Sequence, residues 1–216
     1  MENRTFRGFI AISVPDEVRD FLASFSQEAG KHLTNCRFVD AKNLHLTLQF
    51  LGNDVSKSLI PDISEIIDGI AQITPPFDIS LGNAGIFPAK GRPRVFYIGL
   101  SQGHDEVSAL ALNLQSRLVN LGFEKEESFH PHLTLARRKH SERSQVTGEV
   151  DERKLWQDIY ADFRTEYTCE TRRGIALSWT ADKVTLIESK LSSKGPVYSL
   201  LSEHLLGQKQ GRRTFV

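Results

Sequence analysis

One four-residue word occurs twice in this chain, as His45-Leu46-Thr47-Leu48 and His132-Leu133-Thr134-Leu135. With 7 histidines in 216 residues and an apolar content of 39%, chance supplies roughly 0.06 words of the form His-apolar-Thr-apolar. Two copies therefore constrain the fold. Side chains alternate faces along a strand, so His45 and Thr47 point one way while Leu46, Leu48 and Phe50 point the other. His132 and Thr134 stand in the same relation to Leu133 and Leu135. Each word sets an imidazole and a hydroxyl about 7 Å apart on a strand anchored by leucines. If the two strands are neighbours, two His/Thr pairs face one cleft. Such a cleft can hold a phosphate, with hydroxyls donating to its oxygens, one imidazole activating water and the other protonating a leaving oxygen. A lone His-x-Thr in a strand is most often just a polar face; two matched copies reverse that balance.

The rest of the chain predicts strands alternating with helices. Strand patterns fall at Phe6–Ser13, His45–Leu51, Phe77–Leu81, Val95–Leu100, His132–Arg137, Gly174–Trp179, Val184–Leu191 and Val197–Leu201. Helical spacing links Val18, Phe21, Leu22, Phe25 and Ala29, with Pro15 in the first turn and Ser13 as a cap. It recurs over Leu59–Ile70, over Val107–Leu121 with Gly122 closing the end, and around Val150–Phe163. The pattern is α+β with at least one antiparallel sheet. Charge is balanced, 27 Lys+Arg against 27 Asp+Glu, which excludes a uniformly basic nucleic-acid coat. No apolar run approaches the roughly 20 residues of a membrane span, and the start of the chain does not read as a signal peptide, since Asp16, Glu17, Arg19 and Asp20 follow the first apolar run. Cys36 and Cys169 alone make no disulfide framework. A cytoplasmic protein is expected, a monomer without membrane association.

Other chemistry finds less support. His130-Pro131-His132 has the form of a metal-ligand pair, yet no acidic or cysteine cluster accompanies it; no metal and no cofactor are expected, and His130 is read as exposed or near the cleft mouth. There is no Gly-x-Ser-x-Gly elbow and no Gly-rich nucleotide loop, which counts against an ATP-dependent ligase. Basic residues gather at Lys90, Arg92 and Arg94 and at Arg137, Arg138, Lys139 and His140, where they can rim a cleft and follow an RNA backbone. Phe87, Phe96 and Phe129 are candidates to stack a terminal base, though Phe is more often core.

These words and their flanks resemble the 2H phosphoesterase superfamily, and within it the RNA 2′,3′-cyclic phosphodiesterases formerly described as 2′-5′ RNA ligases. The likeness runs through Arg7-Gly8-Phe9-Ile10-Ala11-Ile12, Arg37-Phe38-Val39, Asn43 to Gly52, Gly85-Ile86-Phe87-Pro88, Arg94 to Gly99, Phe129 to Arg137, Val184 to Ser189 and Tyr198. It covers roughly residues 5–137 and 174–201, with 138–173 less typical and a basic tail at 207–216. The resemblance implies two similar lobes with antiparallel sheets and flanking helices, related by a pseudo-twofold around a central cleft. Residues 1–216 would form this one bilobal domain. The motif separation, 132 − 45 = 87, agrees with a duplication. By the same resemblance, His45 would donate a proton to the departing 3′ oxygen and His132 would accept one from water. Thr47, Thr134 and Arg137 would hold the phosphate.

The residues themselves do not say which imidazole is acid and which base, because the two words are locally equivalent. Strict alternation also puts Arg137 on the face opposite Thr134, so its use requires a bulge or the strand's end. Imidazoles titrating near 6.5 need no Lewis acid, so metal-independent activity with a bell-shaped pH profile is expected. Partners would be RNA ends or small cyclic nucleotide phosphates. An RNA-end binding protein without turnover, or 2′-5′ ligation in tRNA or RNA processing, are the alternatives; water at about 55 M favours hydrolysis over ligation.

Overall fold

The structure is a computed structural model describing residues 4–139, 151–171, 177–193 and 195–207. β1 (Thr5–Ser13) leads into α1 (Asp16–His32) across Val14 and Pro15. Pro15 precedes the first helical residue with no side-chain cap, and its carbonyl accepts from Arg19 N at 2.9 Å. Ser13 closes β1 instead of capping the helix, which corrects the expectation. Asp16 and Glu17 in the first turn and Lys31 and His32 in the last suit the helix dipole. The expected stripe of Val18, Phe21, Leu22, Phe25 and Ala29 is buried.

Next come β2 (Cys36–Phe38), β3 (His45–Ser56), α2 (Ile60–Ala71), β4 (Phe77–Phe87), β5 (Val95–Gln102) and α3 (His104–Leu118). A 3-10 turn at Val119–Leu121 follows α3, and Gly122 then takes the left-handed conformation with φ 86°. β6 (Leu133–Arg138), α4 (Glu152–Thr171), β7 (Ser178–Ala181), β8 (Lys183–Ser192) and β9 (Gly195–Leu205) complete the order. Two elements run longer than their patterns. β4 continues past Leu81 because its glycines permit close approach: a Cβ on Gly82 would lie 2.7 Å from the Leu100 carbonyl carbon, and the ladder shifts register there. α4 extends beyond Phe163 on a face with little apolar signal. The strand expected at Gly174–Trp179 is found as Ser178–Ala181; residues 172–176 lie outside the described residues, as do His140 and the tail from 208.

The strands form one nine-stranded sheet in the order β7-β4-β5-β6-β3-β1-β8-β9, with β2 also pairing β6. The order is symmetric about its middle. Reading outward from the β6/β3 junction, one half runs β6-β5-β4-β7 and the other β3-β1-β8-β9. Each half holds a strand–helix–strand–helix unit, β1-α1-β3-α2 or β5-α3-β6-α4. The first helix of each unit crosses over. α1 packs with α4 against the β4–β6 half, where Phe25 meets Trp156 at 4.8 Å and Trp156 meets Phe96 at 5.5 Å. α3 packs with α2 on the other half, beside β3. The helices leave the sheet's other face open as the cleft. No helix among the described residues is long and apolar enough to cross a membrane.

Both motif strands are fixed from behind. Leu46, Leu48, Leu133 and Leu135 are each 0% exposed, and burying each contributes about 1.5–3 kcal/mol. That anchorage holds the alternate residues rigidly toward the cleft.

Candidate active site

The motif strands are antiparallel neighbours and pair at Leu46 opposite Leu133. Carrying that register one residue each way sets His45 opposite Thr134 and Thr47 opposite His132. Residues facing each other across such a pair lie about 4.5–5.5 Å apart and share a face. The four polar side chains therefore form a square, with the imidazoles at opposite corners. Both threonines are half-buried, and neither hydroxyl bonds another group among the described residues.

Each imidazole is oriented in the same way. His45 Nδ1 donates to the carbonyl of Asn43 at 2.6 Å, and His132 Nδ1 donates to the carbonyl of His130 at 2.6 Å. A carbonyl only accepts, so Nδ1 keeps its proton in both rings and Nε2 is the end left for chemistry. Aromatic rings hold the planes. Phe9 stacks on His45 at 4.5 Å and Tyr198 meets it edge-on at 5.4 Å. Phe87 and Tyr97 meet His132 edge-on at 5.1 and 5.3 Å.

This enclosure changes proton affinity. Burial pushes His45 down from 6.5 to about 4; the Asn43 carbonyl opposes the shift, and the charges of Arg137 and His132 add to it. Burial also lowers His132, against the His130 carbonyl and with Arg137 and His130. Both therefore depart from the ordinary imidazole range expected from sequence. Between about pH 6.5 and 4 the unfolded chain binds more protons than the folded one, so stability rises with pH there. His45's contribution is expected to be full above pH 6.5 and lost as the pH falls through about 4. Melting temperatures across this range should fall less steeply for His45→Gln than for wild type.

Arg137 reaches the cleft through a bulge. Thr134 is opposite Tyr97 and Ala136 is opposite Phe96, so Leu135 is the extra residue. Leu135 and Ala136 are then buried in succession, both at 0% exposure, and Arg137 returns to the face of Thr134. Its charge is felt at both imidazoles and at Tyr198. β3 carries the matching bulge: Thr47 is opposite Ala11 and Gln49 is opposite Ile10. The residue equivalent to Arg137 is Phe50, 43% exposed, with the Arg7 guanidinium 4.6 Å above its ring.

Other expectations divide. Phe96 is 0% exposed against Trp156 and cannot stack a base, which corrects that assignment; Phe129 packs partly buried on the core. Phe87 does stand beside His132. Arg138 is not a rim residue: it pairs with Glu152 and donates from Nε to the Pro93 carbonyl at 2.7 Å. Lys139 donates to the Thr34 carbonyl at 3.0 Å. Lys90, Arg92 and Arg94 are exposed between β4 and β5, and His130 is exposed next to the site. No group of three or more potential metal ligands occurs among the described residues. The motif words alone did not single out Phe9, Tyr97 or Tyr198 as walls of the site. Phe9 and Tyr97 lie on β1 and β5, which flank the motif strands, and Tyr198 lies on the edge strand β9; their signal was that all three fall in segments carrying the family resemblance.

Tyr97 also explains Gly85, whose Cβ would lie 2.4 Å from the tyrosine ring. That ring is held between Phe87 at 4.3 Å and His132. Gly85→Ala is expected to cost about 1–3 kcal/mol by overpacking, seen as a lower melting temperature.

A symmetric antiparallel sheet with paired His/Thr words at its centre defines a 2H-type phosphoesterase fold. The chain belongs to the 2′-5′ RNA ligase superfamily, whose family pattern matches residues 14–192. Among curated relatives, the RNA 2′,3′-cyclic phosphodiesterase of Thermotoga maritima is 30% identical over 197 residues, 91% of this chain and 94% of that protein. The Archaeoglobus fulgidus protein of the same name is 30% identical over 171 residues, 78% of this chain and 94% of its own. Solved structures agree. TT0787 of Thermus thermophilus aligns with a TM-score of 0.70 at 27% identity, covering 93% of this chain and 98% of that one. E. coli LigT complexed with 3′-AMP aligns with a TM-score of 0.68 at 28% identity, covering 94% and 99%.

Proposed function

We propose that this protein is an RNA 2′,3′-cyclic phosphodiesterase that opens the cyclic phosphate to a 2′-phosphate. The observation that carries the reading is the pairing of the two motif words at Leu46 and Leu133, which brings the two His/Thr pairs together, with both Nδ1 atoms tied to carbonyls. Its relatives' names support the same class. Thr47 and Thr134 donate to the non-bridging oxygens, and Arg137 balances their charge. His132 Nε2 takes a proton from the water that attacks phosphorus. The P–O3′ bond breaks as His45 Nε2–H protonates the departing oxygen. The products are a 2′-phosphate and a free 3′-hydroxyl, and solvent exchange resets the two imidazoles. The assignment of acid to His45 and base to His132 follows the family resemblance, since the two rings are held alike. Residues 1–216 act as one bilobal unit in this reading.

An oligoribonucleotide with a 2′,3′-cyclic end, assayed with and without EDTA, tests it. Turnover that survives the chelator is expected. Loss of activity restored by a divalent ion would bring back a metal role for His130 and His132. Tight binding without turnover would favour an RNA-end binding protein, and joined products would favour ligation. A panel of tRNA halves, oligoribonucleotides and cyclic mononucleotides ranks the substrates.

Burial gives the pH dependence a direction. In the free protein both imidazoles are held below 6.5, whereas a bound phosphate anion favours imidazolium. Both profiles should be bell-shaped, with kcat/KM centred below pH 6.5 and kcat displaced to higher pH. Rate profiles measured on one substrate check this, and a kcat/KM optimum well above neutrality contradicts it.

A further inference from the structure

Arg37 faces the same cleft as Arg137. The two are direct partners in the β2–β6 pair, and partners in an antiparallel ladder project from the same face. The neighbours of Arg37 confirm its direction. Cys36 is 7% exposed, and the Phe38 ring lies 3.7 Å from where a Cβ on Gly30 of α1 would stand. Both belong to the helix layer, so the residue between them points away from it. Arg37 Nη2 donates to the Ser193 carbonyl at 3.4 Å, in the turn joining β8 to β9. The side chain thus reaches from one half of the sheet to the other, across the end of the cleft. Nearby, Asn43 Nδ2 donates to the Pro196 carbonyl at 2.9 Å and ties the same segment to the same hairpin.

Two guanidinium groups placed directly opposite one another repel. The ion pairs among the described residues use neither. A cyclic phosphodiester carries one negative charge, which Arg137 alone balances. Arg37 adds a further cation directly opposite Arg137, and a second anion beside the reacting phosphate would relieve their repulsion. In an RNA end, the nearest one is the phosphodiester joining the terminal nucleotide to its 5′ neighbour.

We propose that Arg37 binds that internal phosphodiester, so that the substrate class is an RNA chain and not a cyclic mononucleotide. This rests on the phosphodiesterase reading above. Arg137 holds the reacting phosphate and Arg37 the next one, and together they fix the direction in which the chain leaves the cleft. Arg37 is a specificity residue with no part in proton transfer.

The test compares two dinucleotides with the same bases and the same 2′,3′-cyclic end. One has a natural internal phosphodiester and the other a neutral methylphosphonate. Wild type is expected to prefer the charged linkage about 10–100-fold in kcat/KM, the usual range for a charge-assisted contact. Arg37→Gln should bring that ratio close to one, and Arg37→Lys should keep most of it. Arg37→Gln should also flatten the dependence of log kcat/KM on log salt by about 0.7 for the charged substrate. Because both substrates share the cyclic end, the ratio cancels any general loss of folding or chemistry. A wild-type ratio near one, or a ratio unchanged in Arg37→Gln, overturns the proposal while leaving the phosphodiesterase reading intact. A wild type inert toward every cyclic end overturns that reading, and Arg37's role with it.

Discussion

His45→Ala and His132→Ala are each expected to lower turnover of a 2′,3′-cyclic RNA end by about 10²–10⁴-fold, the usual contribution of a positioned acid or base. In the proposed mechanism the two rings act through Nε2 on one phosphate in one displacement, so the double variant should lose less than the product of the single losses. Neither ring is a core residue, and each makes its one hydrogen bond to a carbonyl two residues earlier in the chain, in the segment leading into its motif strand. Truncation should therefore leave the fold intact. Burial disfavours protonated His45 most, so His45→Ala should also remove part of the acid sensitivity of stability. A single variant with near wild-type turnover would exclude the paired-imidazole mechanism.

The second large effect concerns the hydroxyls. Negative charge grows on the non-bridging oxygens as water adds to phosphorus, so a donor there favours the transition state over the ground state. Thr47→Val and Thr134→Val keep the β-branched shape a strand favours and remove only the donor. Each should lower kcat by roughly 10–10³-fold, somewhat less than a full oxyanion donor where water substitutes in part. Thr→Ser at either position keeps the donor and should lose much less. Both positions are only half-buried, so melting temperatures should change little. Equal activity of the Val and Ser variants would show that the hydroxyls do not touch phosphate. A collapse in stability with Val would make them structural.

The core of this site was legible because strand alternation is strict over the four residues of each word: His45, Thr47, His132 and Thr134 all reach the cleft, and the leucines between them are buried. Alternation failed one step later. The bulge at Leu135 turns Arg137 to the active face, and its trace in the sequence is only the apolar pair Leu135-Ala136. The same device at Leu48-Gln49 was hidden because Gln49, although 6% exposed, reads as polar. Its amide is buried by donating to the carbonyls of Phe50 and Glu124 at 2.8 and 3.2 Å.

Phe96 and Tyr97 show the limit of residue type as a guide. The phenylalanine fills the core, and its amphipathic neighbour lines the cleft. Pairing across the sheet was beyond local pattern altogether. Arg37 and Arg137 are one hundred positions apart, and nothing in a single strand announces that they are partners. The crossover of α1 and α3 was equally invisible, since a helix's apolar stripe does not state which half of the sheet it covers.

The central claim is that water attacks phosphorus between two imidazoles and that the 3′ oxygen leaves. The most direct measurement is product analysis after incubating a 2′,3′-cyclic oligoribonucleotide with the wild-type protein and EDTA in heavy-oxygen water. The predicted product is a 2′-phosphate carrying one solvent-derived oxygen, with an unlabelled 3′-hydroxyl. A 3′-phosphate, label in the ribose hydroxyl, or a cyclic end left unopened would contradict it.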